Sequence, residues 1–250
     1  MKIEVYASQT HVTEKDLRGK NCVVIDTLRA TSTIITALAN GCEQVIPVEE
    51  VGQAKQLRIS VGESVSVLGG ERGGQKIPGF DLGNSPLEYG PEHIYGKTLI
   101  LTTTNGTLAI RKAEAAMCTY IGAMINATSI ARALLKTETD AVLLCAGTEG
   151  KFAVEDALSA GYIIHCLRQE SQGAPILEEF YAKAALDGEF STQINEETLF
   201  SLTSDTFGVQ AEGRCATSLD INRRGDVYSI DAKLDNSGLY TLLNLLYYIF

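Results

Sequence analysis

The sequence predicts an α/β protein with a three-layer α/β/α arrangement around a largely parallel or mixed sheet. Three observations predict it: apolar runs of strand length, a helical spacing of apolar residues after each run, and polar turns between the two. The clearest unit begins with the run at 23–25, which leads directly into Asp26. Residues 34–38 then place apolar side chains on one helical face, and Gly41 predicts the end of that helix.

The remaining elements repeat this alternation along the chain. Further strands are predicted at 2–6, 44–48, 64–68, 98–101 and 141–145. Further helices are predicted at 51–61, 108–116, 126–135, 154–167 and 175–186. Because helices follow most of the strands, we expect a largely parallel sheet.

Residues 69–86 interrupt the alternation. They contain six glycines and two prolines, which predict that no regular element forms there. The apolar side chains of Ile77, Phe80 and Leu82 predict an ordered loop that is anchored to the core. Long ordered loops inside a compact domain are usually functional, so we interpret this segment as a binding loop.

The chain length of 250 residues fits a single α/β unit that spans 1–250. The alternative is two similar lobes, 1–120 and 121–250, with the site between them. It rests on the segments 34–41 and 154–161, which both contain Ala-Leu, two small or polar residues and then Gly. Such a likeness indicates an internal duplication.

Composition excludes several classes of partner. The net charge of -10 and the pI of about 4.9 oppose attraction to phosphate backbones, so no nucleic-acid partner is expected. No apolar run is long enough to span a bilayer, and no membrane association is expected. We therefore expect a cytoplasmic protein, with a homodimer as the commonest form of association.

Carboxylates collect at predicted strand ends, at helix starts and in the glycine-rich loop. They are Asp26, Glu71, Asp81, Glu149, Glu155 and Asp156. Carboxylate oxygens are the ligands that Mg²⁺ prefers, and histidine is scarce in this chain. For each carboxylate alone, an ordinary solvated turn or helix-start position explains it as well.

Groups that bind anions fall at the same edge of the predicted sheet. Three helix N-termini follow Thr-, Ser- or Gly-rich turns, and such ends offer unsatisfied N–H groups to phosphate or carboxylate. Cationic side chains stand beside these turns: Arg29, Arg72, Lys76 and Lys151. The pattern predicts a small polyanionic substrate. The alternative is that Thr31, Ser32 and Thr107 are only helix caps.

Several known signatures are absent from the sequence. It contains no Gly-x4-Gly-Lys-Ser/Thr phosphate loop, no Gly-x-Gly-x-x-Gly after the first core strand and no Gly-x-Ser-x-Gly elbow. The turn from Asp26 to Thr31 is similar to the Asp-x-Asp-x-Thr turn of haloacid-dehalogenase-type phosphatases, but Leu28 occupies the place of their second Asp. The sequence therefore does not support a phosphate-loop NTPase, a dinucleotide-binding enzyme or a serine hydrolase of these common types.

One family is matched much more closely. Residues 21–160 resemble the 2-phosphosulfolactate phosphatases, the ComB-like proteins of coenzyme M biosynthesis. The resemblance is carried by five motifs, at 24–33, 70–74, 79–86, 103–107 and 145–147 with Glu155-Asp156. It implies a Mg²⁺-dependent hydrolase that cleaves the phosphate ester of 2-phospho-3-sulfolactate, with a fold of its own among α/β proteins.

The residues and the resemblance together predict a role for each candidate. The predicted Mg²⁺ ligands or orienting groups are Asp26, Glu71 and Asp81. The predicted phosphoryl-binding groups are Arg29, Thr31, Ser32, Asn105, Gly106 and Thr107. The predicted ligands of the distal sulfonate and carboxylate are Arg72, Lys76, Asn84 and Ser85. Either Glu155 or Asp156 is predicted to orient the attacking water or act as general base.

Three alternatives remain open from sequence. Asp26 could instead form a covalent aspartyl-phosphate, in place of attack by a metal-activated water. The substrate could be another small phosphorylated hydroxy acid. The chain could also be a non-catalytic sensor of a small anion or nucleotide, which would need the anion-binding groups but not the acids.

Overall fold

Strands and helices alternate along the chain, as the apolar spacing predicts. The computed structural model describes residues 1–171 and the backbone of three further strands, at 177–181, 218–224 and 227–233. The strands are β1 (Lys2–Tyr6), β2 (Asn21–Ile25), β3 (Gln44–Pro47), β4 (Ser66–Arg72), β5 (Gln75–Lys76), β6 (Thr98–Thr102), β7 (Cys118–Gly122), β8 (Ala141–Cys145), β9 (Leu177–Tyr181), β10 (Ser218–Arg224) and β11 (Val227–Lys233). The helices are α1 (Glu14–Leu17), α2 (Ala30–Ala39), α3 (Val51–Val61), α4 (Pro91–Ile94), α5 (Gly106–Lys112), α6 (Ala127–Thr137) and α7 (Val154–Glu170).

The strands form two sheets. The first has the order β7-β2-β8-β1-β9, and every neighbouring pair in it is parallel. The second has the order β10-β11-β3-β6-β4-β5. Its central strands β3, β6 and β4 are parallel, whereas β5, β10 and β11 pair in antiparallel fashion. The predicted α/β class, with parallel and mixed pairing, is confirmed.

Helix α2 lies between the two sheets. Nine of its ten residues are buried, and Ile34 belongs to one apolar cluster with Val24 of the first sheet and Leu99 of the second. A helix without charged residues, whose Ser and Thr hydroxyls can bond to the main chain, is suited to a position that protein surrounds. The run at 30–39, which is poor in charge, is therefore explained by its position in the middle of the fold.

Alternate residues of each strand face opposite layers. In β2, Val24 faces the α2 layer, whereas Val23 and Ile25 pack in a second cluster with residues of α6 and α7. In β6, Leu99 faces α2 and Ile100 joins a third cluster beside α3. Each sheet is thus the centre of an α/β/α arrangement, and the two arrangements share the α2 layer.

The two sheets are interleaved along the chain. Strand β2 pairs with β7 and β8, so residues on both sides of position 120 contribute to the first sheet. The boundary of the predicted lobes does not coincide with the boundary between the sheets. The single unit over 1–250 and the two lobes both stay predictions.

The prediction of no regular element over 69–86 is wrong at its start. Strand β4 continues through Gly69 and Gly70 to Arg72 and then turns back as β5. A Cβ at Gly70 would lie 2.0 Å from the carbonyl oxygen of Thr102 on β6. Glycine therefore lets β4 pair closely with β6 rather than breaking the strand.

The predicted helix at 175–186 is wrong over 177–181, where β9 pairs in parallel with β1. Residues 182–186 lie outside the described part of the chain. Pairing with the free edge of β1 satisfies the backbone there and overrides the local helical pattern. Among the described residues, no helix combines the length and the apolar character needed to cross a lipid bilayer.

Candidate active site

The carboxyl ends of the parallel strands β2 and β6, one from each sheet, lie close to each other. Asp26 follows β2 in the first sheet, and a Cβ at Gly106, which follows β6 in the second, would lie 2.7 Å from Oδ2 of Asp26. On one side, Nη2 of Arg29 donates to the carbonyl oxygen of Gly74 at 3.1 Å. Ligands of α/β proteins bind beyond the carboxyl ends of parallel strands, so this junction is the candidate site.

Asp26 is held by the turn that follows it. Its side chain is only 8 % exposed, and Oδ1 accepts a hydrogen bond from the backbone N–H of Ala30 at 3.2 Å. The hydroxyl of Thr31 donates to the carbonyl oxygen of Asp26 at 2.8 Å and closes the turn. The intervening peptide bond between Leu28 and Arg29 is cis. The turn therefore fixes one carboxylate oxygen and directs the other towards Gly106.

The electrostatic environment of Asp26 is unusual for an aspartate. Burial raises the pKa of Asp26 to about 6, against hydrogen bonds from the main chain of Ala30 and Arg29 that lower it. The negative charges of Glu71 and Glu155 also raise it. Asp26 can therefore gain or lose a proton near neutral pH, which is a property of functional carboxyl groups.

Asp156 joins two turns of the first sheet. Its Oδ1 accepts from the backbone N–H of Thr27 at 2.8 Å, and its Oδ2 accepts from that of Gly147 at 3.0 Å. Burial raises the pKa of Asp156 well above its usual value, and the nearby charge of Asp26 adds to the effect. The hydroxyl of Thr27 lies 2.6 Å from that of Ser159. Asp156 is therefore fixed by two main-chain donors in the turns after β2 and β8.

Glu71 makes the corresponding connection in the second sheet. Its side chain is 7 % exposed, and Oε1 accepts from the backbone N–H of Thr104 at 2.7 Å. Its Oε2 accepts from the backbone N–H of Gly74 at 2.7 Å. Glu71 thus connects the β4–β5 turn to the turn between β6 and α5.

The structure does not bring Asp81 to this group. Its Oδ2 accepts from Nη1 of Arg58 and from the backbone N–H of Leu68, both at 2.8 Å. Leu68 lies in the middle of β4, and Arg58 lies on α3. The geometry therefore gives Asp81 a role in fixing the glycine-rich loop against β4.

The hydroxyls predicted to bind phosphate are used within their own turns. Thr31, Ser32 and Thr107 are buried, and their hydroxyls donate to the carbonyl oxygens of Asp26, Thr27 and Thr103 at 2.7–2.8 Å. They are not the helix caps of the alternative, because the N-cap residues of α2 and α5 are Arg29 and Asn105. Arg29 is a charged donor at this junction that could reach an anion.

The predicted distal ligands are spread over two regions. Arg72 donates through Nη2 to the carbonyl oxygen of Glu49 at 2.6 Å and to the hydroxyl of Thr102 at 2.8 Å. Lys76 is exposed on β5, with Nζ 3.5 Å from the carbonyl oxygen of Asp81. Arg72 therefore joins β4 to its neighbours, whereas Lys76 presents its charge to solvent.

Asn84 and Ser85 lie beside α2. The carbonyl oxygen of Asn84 accepts from the hydroxyl of Thr33 at 3.0 Å, and Oδ1 of Asn84 is buried without a hydrogen-bond partner in the part of the chain that the structure describes. Ser85 precedes a helical turn at Pro86–Glu88 that packs on α2. The assignment of these four residues to the distal groups stays a prediction.

Sequence reasoning missed the turn after β1. The amide Nε2 of Gln9 donates to the carbonyl oxygen of Asn105 at 3.3 Å, and Ser8 donates to the carbonyl oxygen of Gly150 at 2.9 Å. Oδ1 of Asn105 accepts from the backbone N–H of Glu149 at 3.1 Å. The signal was available, because polar residues directly follow a predicted strand at 2–6.

The donor set fits a hard cation in chemical type. Among the described residues, no group of three or more His, Cys, Asp and Glu side chains is arranged to hold a metal ion. Mg²⁺ is usually held by one or two carboxylates, with water and substrate phosphate oxygens as its other ligands. Asp26, with Oδ2 directed into the junction, meets that smaller requirement.

A buried carboxyl group beyond the carboxyl ends of parallel strands is an arrangement that is common in α/β enzymes. Comparison with known proteins gives the family. A family model described as 2-phosphosulpholactate phosphatase matches residues 6–205. The chain belongs to this family, as the motifs indicated, and it is a phosphatase.

Individual relatives agree with the family model. A probable 2-phosphosulfolactate phosphatase of Caldanaerobacter subterraneus subsp. tengcongensis is 49% identical over 168 residues, which are 67% of this chain and 70% of the relative. The protein of the same name from Clostridium novyi is 48% identical over 67% of this chain and 71% of its own length. That from Clostridium acetobutylicum is 41% identical over 79% and 81%.

Proposed function

We propose that this phosphatase hydrolyses the phosphate monoester of 2-phospho-3-sulfolactate to 3-sulfolactate and inorganic phosphate, in a Mg²⁺-dependent reaction. The names of the relatives support the substrate. The observation that carries the chemistry is the position of Asp26, buried between the two sheets with one carboxylate oxygen directed at Gly106. The role in coenzyme M biosynthesis, the cytoplasmic location and the homodimer stay predictions.

Phosphate monoesters hydrolyse extremely slowly in water, so the site must neutralise the phosphoryl oxygens and align a nucleophile. In our proposal the guanidinium of Arg29 faces the phosphoryl oxygens. Mg²⁺, when bound at Asp26, would supply further charge neutralisation. Our proposal omits Glu71 because main-chain donors reach both of its oxygens. It omits Asp81 because Oδ2 accepts from Arg58 and from a main-chain N–H.

Glu155 takes the role of general base. It lies in the first turn of α7, and its charge acts on both Asp26 and Asp156. The oxygen of the attacking water forms a bond to phosphorus and gives one proton to the Glu155 carboxylate, while the bond between phosphorus and the substrate oxygen breaks. The leaving oxygen takes a proton from solvent water, and Glu155 afterwards returns its proton to solvent. Asp156 is less suited to this role, since two main-chain donors occupy its oxygens.

The distal sulfonate and carboxylate of the substrate require further cations. Lys76 is the best placed of the predicted residues, because it pairs with Glu71 across the β4–β5 hairpin and is exposed. Arg72 is committed to contacts inside the protein. We therefore assign Lys76 to the distal anionic groups.

Phosphate release from three substrates tests the proposal. The substrates are 2-phosphosulfolactate, phospholactate and a generic aryl phosphate, each with Mg²⁺ and with EDTA. We expect fast, EDTA-sensitive release from the sulfonated substrate alone. Equal rates on all three would retain the phosphatase and reject the named substrate, and full activity in EDTA would reject the metal.

A covalent intermediate is tested separately. Acid quenching during turnover of a substrate labelled with ³²P would trap an aspartyl-phosphate if Asp26 were the nucleophile. We expect no labelled protein. Label on Asp26 would replace direct attack by water with a two-step mechanism.

A further inference from the structure

The β4–β5 hairpin connects a buried carboxylate to the arginine of the site. Oε2 of Glu71 accepts from the backbone N–H of Gly74 at 2.7 Å. The carbonyl oxygen of the same residue, Gly74, accepts from Nη2 of Arg29 at 3.1 Å. Gly74 therefore contacts both groups: its N–H donates to the Glu71 carboxylate, and its carbonyl oxygen accepts from the Arg29 guanidinium.

The Glu71 carboxylate also accepts hydrogen bonds from a second turn, at Thr104. Oε1 accepts from the backbone N–H of Thr104 at 2.7 Å, and Oε2 also accepts from the Thr104 hydroxyl at 3.2 Å. Thr104 precedes Gly106, the residue that faces Asp26. Hydrogen bonds to a buried carboxylate are strong, so Glu71 fixes the hairpin relative to the turn beside Asp26.

We propose that Glu71 is a positioning residue for Arg29. This inference rests on the proposed function, in which Arg29 neutralises the phosphoryl group. Arginine has a long side chain with much rotational freedom, and a fixed carbonyl acceptor reduces that freedom before the substrate arrives. Glu71 holds the backbone N–H of Gly74, and the carbonyl group of the same residue holds the guanidinium.

The substitution Glu71→Gln removes one of the two acceptor oxygens while keeping the shape of the side chain. Glutamine has one acceptor oxygen, so either Gly74 or Thr104 loses its acceptor. We expect kcat/KM to fall by about 10- to 100-fold, the range found when an orienting partner is removed. The matched control is Glu88→Gln, since Glu88 also accepts a glycine N–H, that of Gly83, at 2.8 Å, in the same loop. We expect the control to stay within about twofold of the wild type.

A double-mutant cycle tests whether Glu71 acts through Arg29. The four proteins are the wild type, Glu71→Gln, Arg29→Ala and the double variant. We expect Glu71→Gln to change kcat/KM by less than about twofold once Arg29 is alanine. If the two losses multiply instead, Glu71 acts independently of Arg29 and the proposal is overturned.

A second readout does not depend on activity. The ¹H–¹⁵N signal of Arg29 Nε, assigned with Arg29→Lys, should move in Glu71→Gln and stay in place in Glu88→Gln. If Glu71→Gln does not fold, Glu71→Asp replaces it, because the shorter carboxylate cannot reach both donors. An unchanged Arg29 signal overturns the proposal. If the Arg29 signal shifts in Glu71→Gln but the wild type does not hydrolyse 2-phosphosulfolactate, the positioning role is retained and the proposed function is rejected.

Discussion

The turns after the two sheets are fixed in the same way by different residues. At the end of the first sheet, Asp156 accepts from the backbone of Thr27 and Gly147. At the end of the second, Glu71 accepts from the backbone of Gly74 and Thr104. Each is a buried carboxyl group that joins two separate turns, so each stabilises one half of the site.

Asp26 differs from both of these residues. The main-chain hydrogen bonds to its carboxylate come from its own turn, and its other oxygen is directed across to Gly106 of the second sheet. The carboxylates of this site are close together, yet their hydrogen bonds separate them into two groups. We infer that Asp26 does chemistry and that Asp156 and Glu71 hold the turns in place.

The largest expected effect comes from Asp26→Asn. Asparagine can still accept from the Ala30 N–H, but it has no negative charge and cannot exchange a proton. We expect kcat to fall by about 10³-fold, as when a group that acts on the reacting atoms is removed. Phosphate release and the melting temperature measure it, with Asp140→Asn as control, since Asp140 binds Lys2 N at the opposite end of β1. Retention of more than a tenth of the activity would contradict a chemical role.

The second prediction concerns the contribution of Asp26 to the pH dependence of the free energy of unfolding. Its pKa is about 6 in the folded protein and 3.8 in the reference state. A raised folded-state pKa stabilises the fold below pH 3.8, and this contribution is lost as the pH rises through about 6. The full effect is about 3 kcal/mol, of which about 2 kcal/mol falls between pH 4.5 and 7.

We therefore expect Asp26→Asn to gain stability relative to the wild type as the pH rises over that interval. Urea unfolding at several pH values, without divalent cations, measures the difference. A constant difference would show that Asp26 is not buried among like charges.

Asp156→Asn should reduce stability and activity together. One of the two main-chain donors, Thr27 or Gly147, loses its acceptor in a buried position, which costs about 1–3 kcal/mol. Urea unfolding gives the free energy of unfolding, and kcat should fall because the Asp26 turn loosens. A variant with wild-type stability and no activity would make Asp156 the general base instead.

Gly106→Ala tests the approach of the second sheet to Asp26. The added Cβ would lie 2.4 Å from Cβ of Ala30 and 2.7 Å from Oδ2 of Asp26. We expect a loss of about 1–2 kcal/mol and a lower kcat. Gly52→Ala on α3 is the control, because nothing lies within 4 Å of its added Cβ, and it should stabilise by about 0.5–1 kcal/mol. Equal effects in the two variants would contradict the close approach.

Local patterns in the sequence predict the individual units of this fold well. The apolar run before Asp26 and the helical spacing after it correspond to β2 and α2, and α3 occupies the predicted range of 51–61. The presence of two sheets is not predictable in this way. It depends on which strands pair, and β2 pairs with β7 and β8 from far along the chain.

The candidate site shows the same limit. The motifs identified Asp26, Glu71, Asp81 and Asp156 as acids near strand ends, but the acceptor geometry of each is decided by distant residues. Arg58 of α3 pairs with Asp81, whereas main-chain donors after β6 and β8 occupy Glu71 and Asp156. A sequence pattern gives the residue type at a turn, not the donors that another turn brings to it.

Binding of Mn²⁺ in place of Mg²⁺, followed by electron paramagnetic resonance, tests the central claim most directly. The claim is that Asp26 binds the metal ion, whereas Glu71 only holds turns in place. The titration compares the wild type with Asp26→Asn and Glu71→Gln, with no substrate present. We expect Asp26→Asn to weaken binding by about tenfold or more and Glu71→Gln to change it by less than about twofold. Loss of binding in Glu71→Gln with normal binding in Asp26→Asn would contradict the account.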